Sequence, residues 1–440
     1  MQEIISLLFN PAVISIILLC ILCLRKVNVL LAIIVSTLVA GVLSGLDLKN
    51  VMDVFISGMG GNSETALSYI LLGTFAATMA HSGFTTKLSQ ALAKIISGKK
   101  YMLLLLLTLI AMASQNIVPI HIAFIPIIIP PLLSTMNKLN IDRRVVASVL
   151  AFGLKMPYIT IPVGFGLIFQ NLIADNMIQN GVNVLRTDIW KYTAILGLAM
   201  FVALLFAVFI SYRKPRYYED KSLNFCAIKE DVICSKYAMW VIALATFLTF
   251  LVQLVTHSLP LGALVGLGII FTLKVIPKNK MDHMMNEGIY LMGYVAFVML
   301  VAAGFASVLK ETGAIESLVN VTLLLLPTDV VLTSLIILIL GLFITIGIGT
   351  SFGTIPILAV LFVPICSKLG FNIPQIVVLL AAAAALGDAG SPASDTTLGP
   401  TAGLNADGQH NHIYDTCIPT FLHYNIALII FALLGVYLLS

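Results

Sequence analysis

The feature that most constrains this chain is the recurrence, from end to end, of apolar stretches close to the roughly 20 residues a helix needs to cross a bilayer. They fall at about 4 to 24, 27 to 46, 65 to 84, 101 to 114, 117 to 135, 145 to 173 and 189 to 212, and again at about 237 to 257, 259 to 276, 288 to 309, 328 to 346, 350 to 367, 375 to 396 and 418 to 439. Lipid offers a backbone no hydrogen bonds, so such segments close their own ladders as helices. Composition agrees: with 60% hydrophobic and 10% charged residues and a mean hydropathy of +1.06, the chain lacks the polar side chains to coat a soluble domain. The sequence predicts an all-α polytopic membrane protein with about 10–14 membrane segments, among them re-entrant hairpins and broken helices. The first stretch has no basic leader or small-residue cleavage site and runs directly into Arg25 and Lys26, so it reads as a retained span.

The two sets of seven segments keep a constant phase of 230 residues, which predicts a tandem duplication: residues 1–225 as one repeat and 226–440 as the other. Matches at that offset include Phe75-Ala76 with Phe305-Ala306, Ile125-Pro126-Ile127 with Ile355-Pro356-Ile357, and Pro162 with Pro392. An odd number of crossings per repeat makes the second enter the membrane in the opposite sense. With the N-terminus outside, 18 of the 24 Lys and Arg residues fall in loops expected in the cytoplasm, including the polar loop 213–236, as the positive-inside rule requires. The expected location is a bacterial-type cell (inner) membrane, with lipid as the obligatory partner. A net charge of +4 gives no reason to expect nucleic acid. Assembly is left open between a monomer and a homodimer. No disulfide is expected: Cys20 and Cys23 lie in an apolar span, and Cys226 and Cys234 lie in the loop placed in the cytoplasm.

In each half the fifth and sixth segments are poorly formed as helices. Ser114-Gln115-Asn116-Ile117-Val118-Pro119 and Gly347-Ile348-Gly349-Thr350-Ser351-Phe352-Gly353-Thr354 read as hairpin tips. Gly153-Leu154-Lys155-Met156-Pro157, with Pro162, Gly164 and Gly166 beyond it, and Gly387 to Thr397 read as matching helix breaks. Paired discontinuous helices are where transporters bind their cargo. Lys155 and Asp388 fall at these breaks, and a charge at mid-membrane costs about 2.5–3.5 kcal/mol, so each needs a partner or water. Either the pair is functional or it only clips the two halves together. Asp388 with the hydroxyls of Ser391, Ser394, Thr396 and Thr397 is a donor set suited to a small hard cation such as sodium, though the same hydroxyls can bond back to their own helix. Asp395 reads equally as a ligand or as a solvated carboxylate at a helix end. Asp407, His410, His412 and Asp415 allow a metal site on paper, but an interfacial polar loop accounts for them as well; His81 and His121 read as packed or locally bonded histidines.

Gly387-Asp388, followed by Ser391-Pro392-Ala393-Ser394-Asp395-Thr396-Thr397, resembles the helix-break motif of the sodium/proton antiporter family of NhaC type, part of the ion transporter superfamily. The resemblance implies cation coupling by sodium and/or proton, with Asp388, Ser391, Ser394, Asp395 and Thr396 as candidate ligands and no other cofactor or metal. The continuation Leu398 to His410 is similar to a branch of that family associated with amino-acid uptake, histidine among the suggested solutes, which leaves the transported species open. The expected function is ion-coupled secondary transport, as sodium/proton antiport or as sodium- or proton-coupled uptake of an amino acid. In the second case the ion fills the Asp388 region while Asn116, Thr350, Ser351 and Lys155 meet the solute, helped by half-helix N-termini facing its carboxylate. A passive channel is disfavoured by the duplicated breaks. A reading as an intramembrane aspartyl protease fits poorly, because residue 385 is alanine and Asp415 follows rather than precedes Asp388. No P-loop, HExxH motif or nucleophile elbow points to an enzyme.

Overall fold

A computed structural model describes residues 9–25, 27–83, 99–116, 125–219, 235–256, 258–314, 329–348, 350–392 and 394–439. All regular structure among them is helical. The first half contains α1 (Pro11–Leu24), α2 (Val29–Leu43), α3 (Leu48–Met59), α4 (Ser63–His81), α5 (Lys100–Asn116), α6 (Ile125–Lys138), α7 (Arg143–Thr160), α8 (Phe165–Gln179) and α9 (Ile189–Phe206). The second contains α10 (Lys236–Thr256), α11 (Leu259–Thr272), α12 (Met281–Glu311), α13 (Val330–Ile348), α14 (Ser351–Lys368), α15 (Ile373–Ala385), α16 (Asp395–Leu404) and α17 (Ile418–Leu438). Five helical runs among the described residues are long and apolar enough to cross a membrane, and the bent pair α7 and α8 makes a sixth. Six further helices among the described residues are apolar but shorter than that length. This is a multi-pass membrane protein. Helix α3 was not legible as a segment of its own, and the apolar stretch 145 to 173 is divided between α7 and α8.

The helix starts repeat. Adding 230 to the first residues of α2, α5, α7 and α8 gives those of α11, α13, α15 and α16, and α9 maps one residue from α17. Packing repeats too. Gly153 on α7 lies so close to Ala111 on α5 that no β-carbon fits, and at the same offset Gly341 on α13 lies equally close to Ala383 on α15. The small residue has changed sides while the close crossing has stayed. Other contacts are reciprocal between the halves: Gly58 backs onto Gly304, and Gly288, its equivalent, backs onto Thr74, the equivalent of Gly304. Contacts of the form i to j′ with i′ to j are what a two-fold relation between the halves produces.

A buried ion pair ties the first turn of α7 to the chain beyond α16. Arg143 is fully buried and donates to both carboxylate oxygens of Asp407, at 2.6 Å to Oδ1, as well as to the Leu404 carbonyl at 2.8 Å and Asn137 Oδ1 at 3.0 Å. Its guanidinium lies 4.3 Å from the centre of the Tyr218 ring. Burial by itself would raise the Asp407 carboxyl, but the hydrogen bonds and charge of Arg143, with help from Gln409, hold it below the usual carboxylate range. Removing one partner of a buried pair strands the other charge. Arg143→Met should therefore destabilise the detergent-solubilised protein by about 3–5 kcal/mol, and Arg143→Met with Asp407→Leu should recover much of that loss. Thermal unfolding of the two variants checks it; equal midpoints would mean that the pair does not act as a unit.

Candidate functional site

The site is built on the break between α15 and α16. Gly387 and Gly390 have φ of +79° and +101°, a region in which a side chain is strained, and a β-carbon at Gly390 would also run into Phe421 on α17. Ending α15 at Ala385 leaves carbonyls without helical partners. Two are taken by side chains: Thr345 Oγ1 donates to the Ala383 carbonyl at 3.0 Å, and the Lys155 ammonium donates to the Ala385 carbonyl. A cation at a helix C-terminus is also favoured by the helix dipole. Asn425 on α17 holds the gap from the other side, accepting from the Gly387 amide at 3.1 Å and donating to the Ala389 carbonyl at 3.0 Å. Ser394 caps α16, its Oγ accepting from the Thr396 amide at 3.1 Å.

Asp388 lies in this gap, buried, with its carboxylate converged upon by three hydroxyls and a cation. Tyr158 and Ser351 donate to Oδ2 at 2.9 and 2.6 Å, Ser394 donates to Oδ1, and Lys155 Nζ is 3.4 Å from Oδ2. The ion pair weighed from sequence is thus present. Tyr158 is the residue 230 positions before Asp388, and Ala385 stands in the same relation to Lys155.

The hydrogen bonds do not all have protons. Tyr158 and Ser351 also approach each other, at 2.9 Å, so three oxygen–oxygen contacts share two hydroxyl protons. On the other carboxylate oxygen the count is the same. Ser394 reaches Asp388 Oδ1 and lies 2.8 Å from Thr396 Oγ1, which reaches the Asp388 carbonyl at 3.1 Å. With Asp388 ionised and paired to Lys155, each cluster has one oxygen–oxygen contact more than it has hydroxyl protons.

Of the other predicted site residues, Ser391 is buried, its carbonyl accepting from Thr397 Oγ1, while its Oγ is turned toward the Ile346 carbonyl at 3.4 Å. Asp395 starts α16, but its side chain lies outside the described residues. Thr350 precedes α14 without capping it, so it stands at the edge of the site. Ser351, expected to meet a solute, donates to Asp388 Oδ2. Ser114, Gln115 and Asn116 are the last residues of α5 rather than a hairpin tip, while the remainder of that predicted tip, in 117–124, lies outside the described residues, as does His121. Asn116 closes the first break: its Nδ2 donates to the Pro157 and Ile161 carbonyls at 3.0 and 3.2 Å, where α7 turns by 48° into α8. The Oδ1 of Asn116 is buried and finds no partner among the described residues.

An aromatic wall, not foreseen from sequence, covers the site. The Tyr158 ring packs against Phe169 and Phe352 at 5.2 and 5.1 Å, and Phe352 in turn meets Tyr69 edge-on at 5.6 Å. These rings exclude water and so strengthen the electrostatics inside. Away from the break, Asp407 is committed to Arg143, and Asp415 pairs with Arg216 at 2.7 Å. Burial pushes His410 down to about 4, so the ring is neutral, with Nε2 2.7 Å from Thr416 Oγ1. No metal-ligand cluster occurs among the described residues.

The multi-pass helical bundle carries a buried carboxylate–ammonium pair at a helix break, and comparison with known proteins places the chain. It matches the profile of the Na+/H+ antiporter family over residues 149–436, and that of a second Na+-H+ antiporter family over residues 10–96. The chain belongs to the Na+/H+ antiporter family. It is 45% identical to an uncharacterized membrane protein of Vibrio parahaemolyticus, over 96% of this chain and 98% of that one. It is 43% identical to YuiF of Bacillus subtilis, described as a candidate amino acid transporter, again over 96% of this chain and 98% of the other. The fold is shared with the YdaH transporter of Alcanivorax borkumensis, at a TM-score of 0.62 and 14% identity over 98% of both chains. It is shared also with MtrF of Neisseria gonorrhoeae, of a class of antimetabolite efflux pumps, at 0.57 and 16% over 89% of this chain and 85% of that one. Family and fold neighbours are transporters, so the chain is not an enzyme and the protease reading falls.

If the gap is held by its glycines, Gly390→Ala should cost at least about 1–2 kcal/mol from the left-handed backbone alone, plus the clash with Phe421. Gly408→Ala, at φ +74° with nothing near its β-carbon, should show only the backbone part. Thermal unfolding of both variants measures the difference, and an undisturbed Gly390→Ala would contradict the geometry.

Proposed function

We propose that this chain is an ion-coupled secondary transporter of the cell (inner) membrane in which Asp388 takes up a proton and a sodium ion in competition. The observation that carries the reading is the proton shortage around Asp388. Two clusters of oxygens each have one contact more than they have hydroxyl protons; a proton on the carboxylate would complete one of them, and a hard cation among the oxygens would take a proton's place. The sodium ligands in this reading are Asp388, Ser394 and Thr396, with Ser351 and Tyr158 added by the geometry. Ser391 contributes through the shape of the break, and Asp395 remains a candidate at the start of α16.

Alternating access needs an element with two arrangements. We assign it to residues 1–225 and 226–440 as inverted repeats rocking about the site. The repeated helix starts and reciprocal glycine contacts support the relation between the halves. The distribution of Lys and Arg supports the inversion, with the N-terminus outside and 213–236 in the cytoplasm.

A second reading, uptake of an amino acid driven by the same ion, is favoured by two observations. One is the description of the Bacillus subtilis relative. The other is the buried, unpartnered Oδ1 of Asn116, an acceptor able to receive a solute ammonium at the first break.

Reconstituted liposomes test both readings. Wild-type protein should move protons when sodium is added, Asp388→Asn should abolish this while remaining folded, and Tyr158→Phe should weaken apparent sodium affinity roughly tenfold, as expected for one hydrogen bond to a charged group. Full sodium-dependent flux in Asp388→Asn would overturn the assignment. Sodium-driven uptake of a labelled amino acid without proton countermovement would replace antiport by symport.

A further inference from the structure

On the outer surface of the bundle, away from the Asp388 site, an apolar groove of about 450 Å³ runs between α9 and α17. Val202 and Phe206 form one wall, and Leu422, Ile426 and Ile430 the other; its single polar lining residue is His423. The α17 residues repeat at helical spacing, and Leu422 to Phe431 span about 13 Å along the axis, close to the roughly 15 Å depth of one apolar leaflet. A groove of this length and lining suits one extended hydrocarbon chain.

The two ends of the groove differ. At the His423 end, His423 Nε2 is 2.8 Å from Ser211 Oγ, and Ser211 is the last residue of the helical run that α9 begins. Arg213 and Lys214 follow at once, both exposed, and within roughly 8–12 Å of backbone from Ser211. Lys100 comes to the same place, its Nζ donating to the Arg213 carbonyl at 3.3 Å, with exposed Lys99 beside it. No salt bridge to Arg213 or Lys214 occurs among the described residues. The apolar slot therefore ends, at its interfacial end, near a cluster of basic side chains in which Lys100 has Asp142 nearby while Arg213 and Lys214 make no salt bridge among the described residues.

We propose that this groove is a binding site for an anionic phospholipid, with one acyl chain lying between α9 and α17 and the phosphate held by Arg213 and Lys214. The slot supplies apolar burial and the cluster supplies selectivity for negative headgroups, since exposed basic residues attract anionic lipid at a membrane surface. The site is separate from the transport site and independent of the reading given to it.

Native mass spectrometry of the full chain in mild detergent, titrated with phosphatidylglycerol or phosphatidylethanolamine, tests the proposal. Wild-type protein should retain one phosphatidylglycerol at concentrations where phosphatidylethanolamine is lost. Arg213→Gln with Lys214→Gln should weaken phosphatidylglycerol retention at least fivefold, and Ile426→Trp, at an exposed position that fills the slot, should do the same for both lipids. Equal retention of the two lipids by wild type, or retention unchanged in both variants, would reduce the groove to part of an unselective lipid shell and overturn the proposal. So would a dimer that Ile426→Trp dissociates while lipid binding persists. Size-exclusion profiles and thermal midpoints like those of wild type confirm that each variant tested is folded.

Discussion

Interrupted backbone inside a membrane has to be satisfied by the protein itself, and here the Lys155–Asp388 pair is what makes the interruption tolerable. The lysine neutralises the carboxylate and at the same time takes the carbonyl that the end of α15 leaves open. Without Asp388 the ammonium would be a buried cation facing only a carbonyl. Without Lys155 the carboxylate would rest on hydroxyls alone, in a pocket walled by aromatic rings. Each charge lowers the cost of burying the other.

The break sits in a frame whose halves correspond, yet its chemistry is unequal. At equivalent positions one half offers Lys155 and Tyr158, and the other offers Ala385 and Asp388. The equivalent of Asn116, which bonds the Pro157 and Ile161 carbonyls with its side chain, is Ile346, which meets Gly387 and Ser391 through its backbone. Residues 1–225 thus contribute the cation, the Tyr158 hydroxyl and the Asn116 amide, while residues 226–440 contribute the acid, the Ser351 and Ser394 hydroxyls and the Asn425 amide.

Sequence carried the class of fold and the helix break at Asp388, because both follow from hydrophobic length and from glycine, proline and charge inside apolar segments. Asp388, Ser394 and Thr396 were legible for that reason. Tyr158 was not, because a tyrosine in an apolar helix is ordinary; the signal was its position at the repeat offset from Asp388, one turn beyond Lys155. Ser351 was assigned to a solute, since nothing in a sequence says that the first turn of α14 faces α15. The extent of α5 was misjudged because polar residues closing a helix look the same as polar residues in a turn. Asp407, His410, His412 and Asp415 read as a polar loop that allows a metal site only on paper, and nothing in the sequence says that Arg143 and Arg216, more than 190 residues away in the chain, take the two carboxylates. Pairings of that range are fixed by tertiary packing alone.

The central claim is that proton and sodium compete for one oxygen cluster around Asp388. Calorimetric titration of sodium into the purified protein, repeated in buffers of different ionisation enthalpy and at several pH values, tests it directly. The account predicts that protons are released as sodium binds and that apparent affinity weakens as pH falls. Sodium binding with no proton release, at an affinity independent of pH, would contradict it.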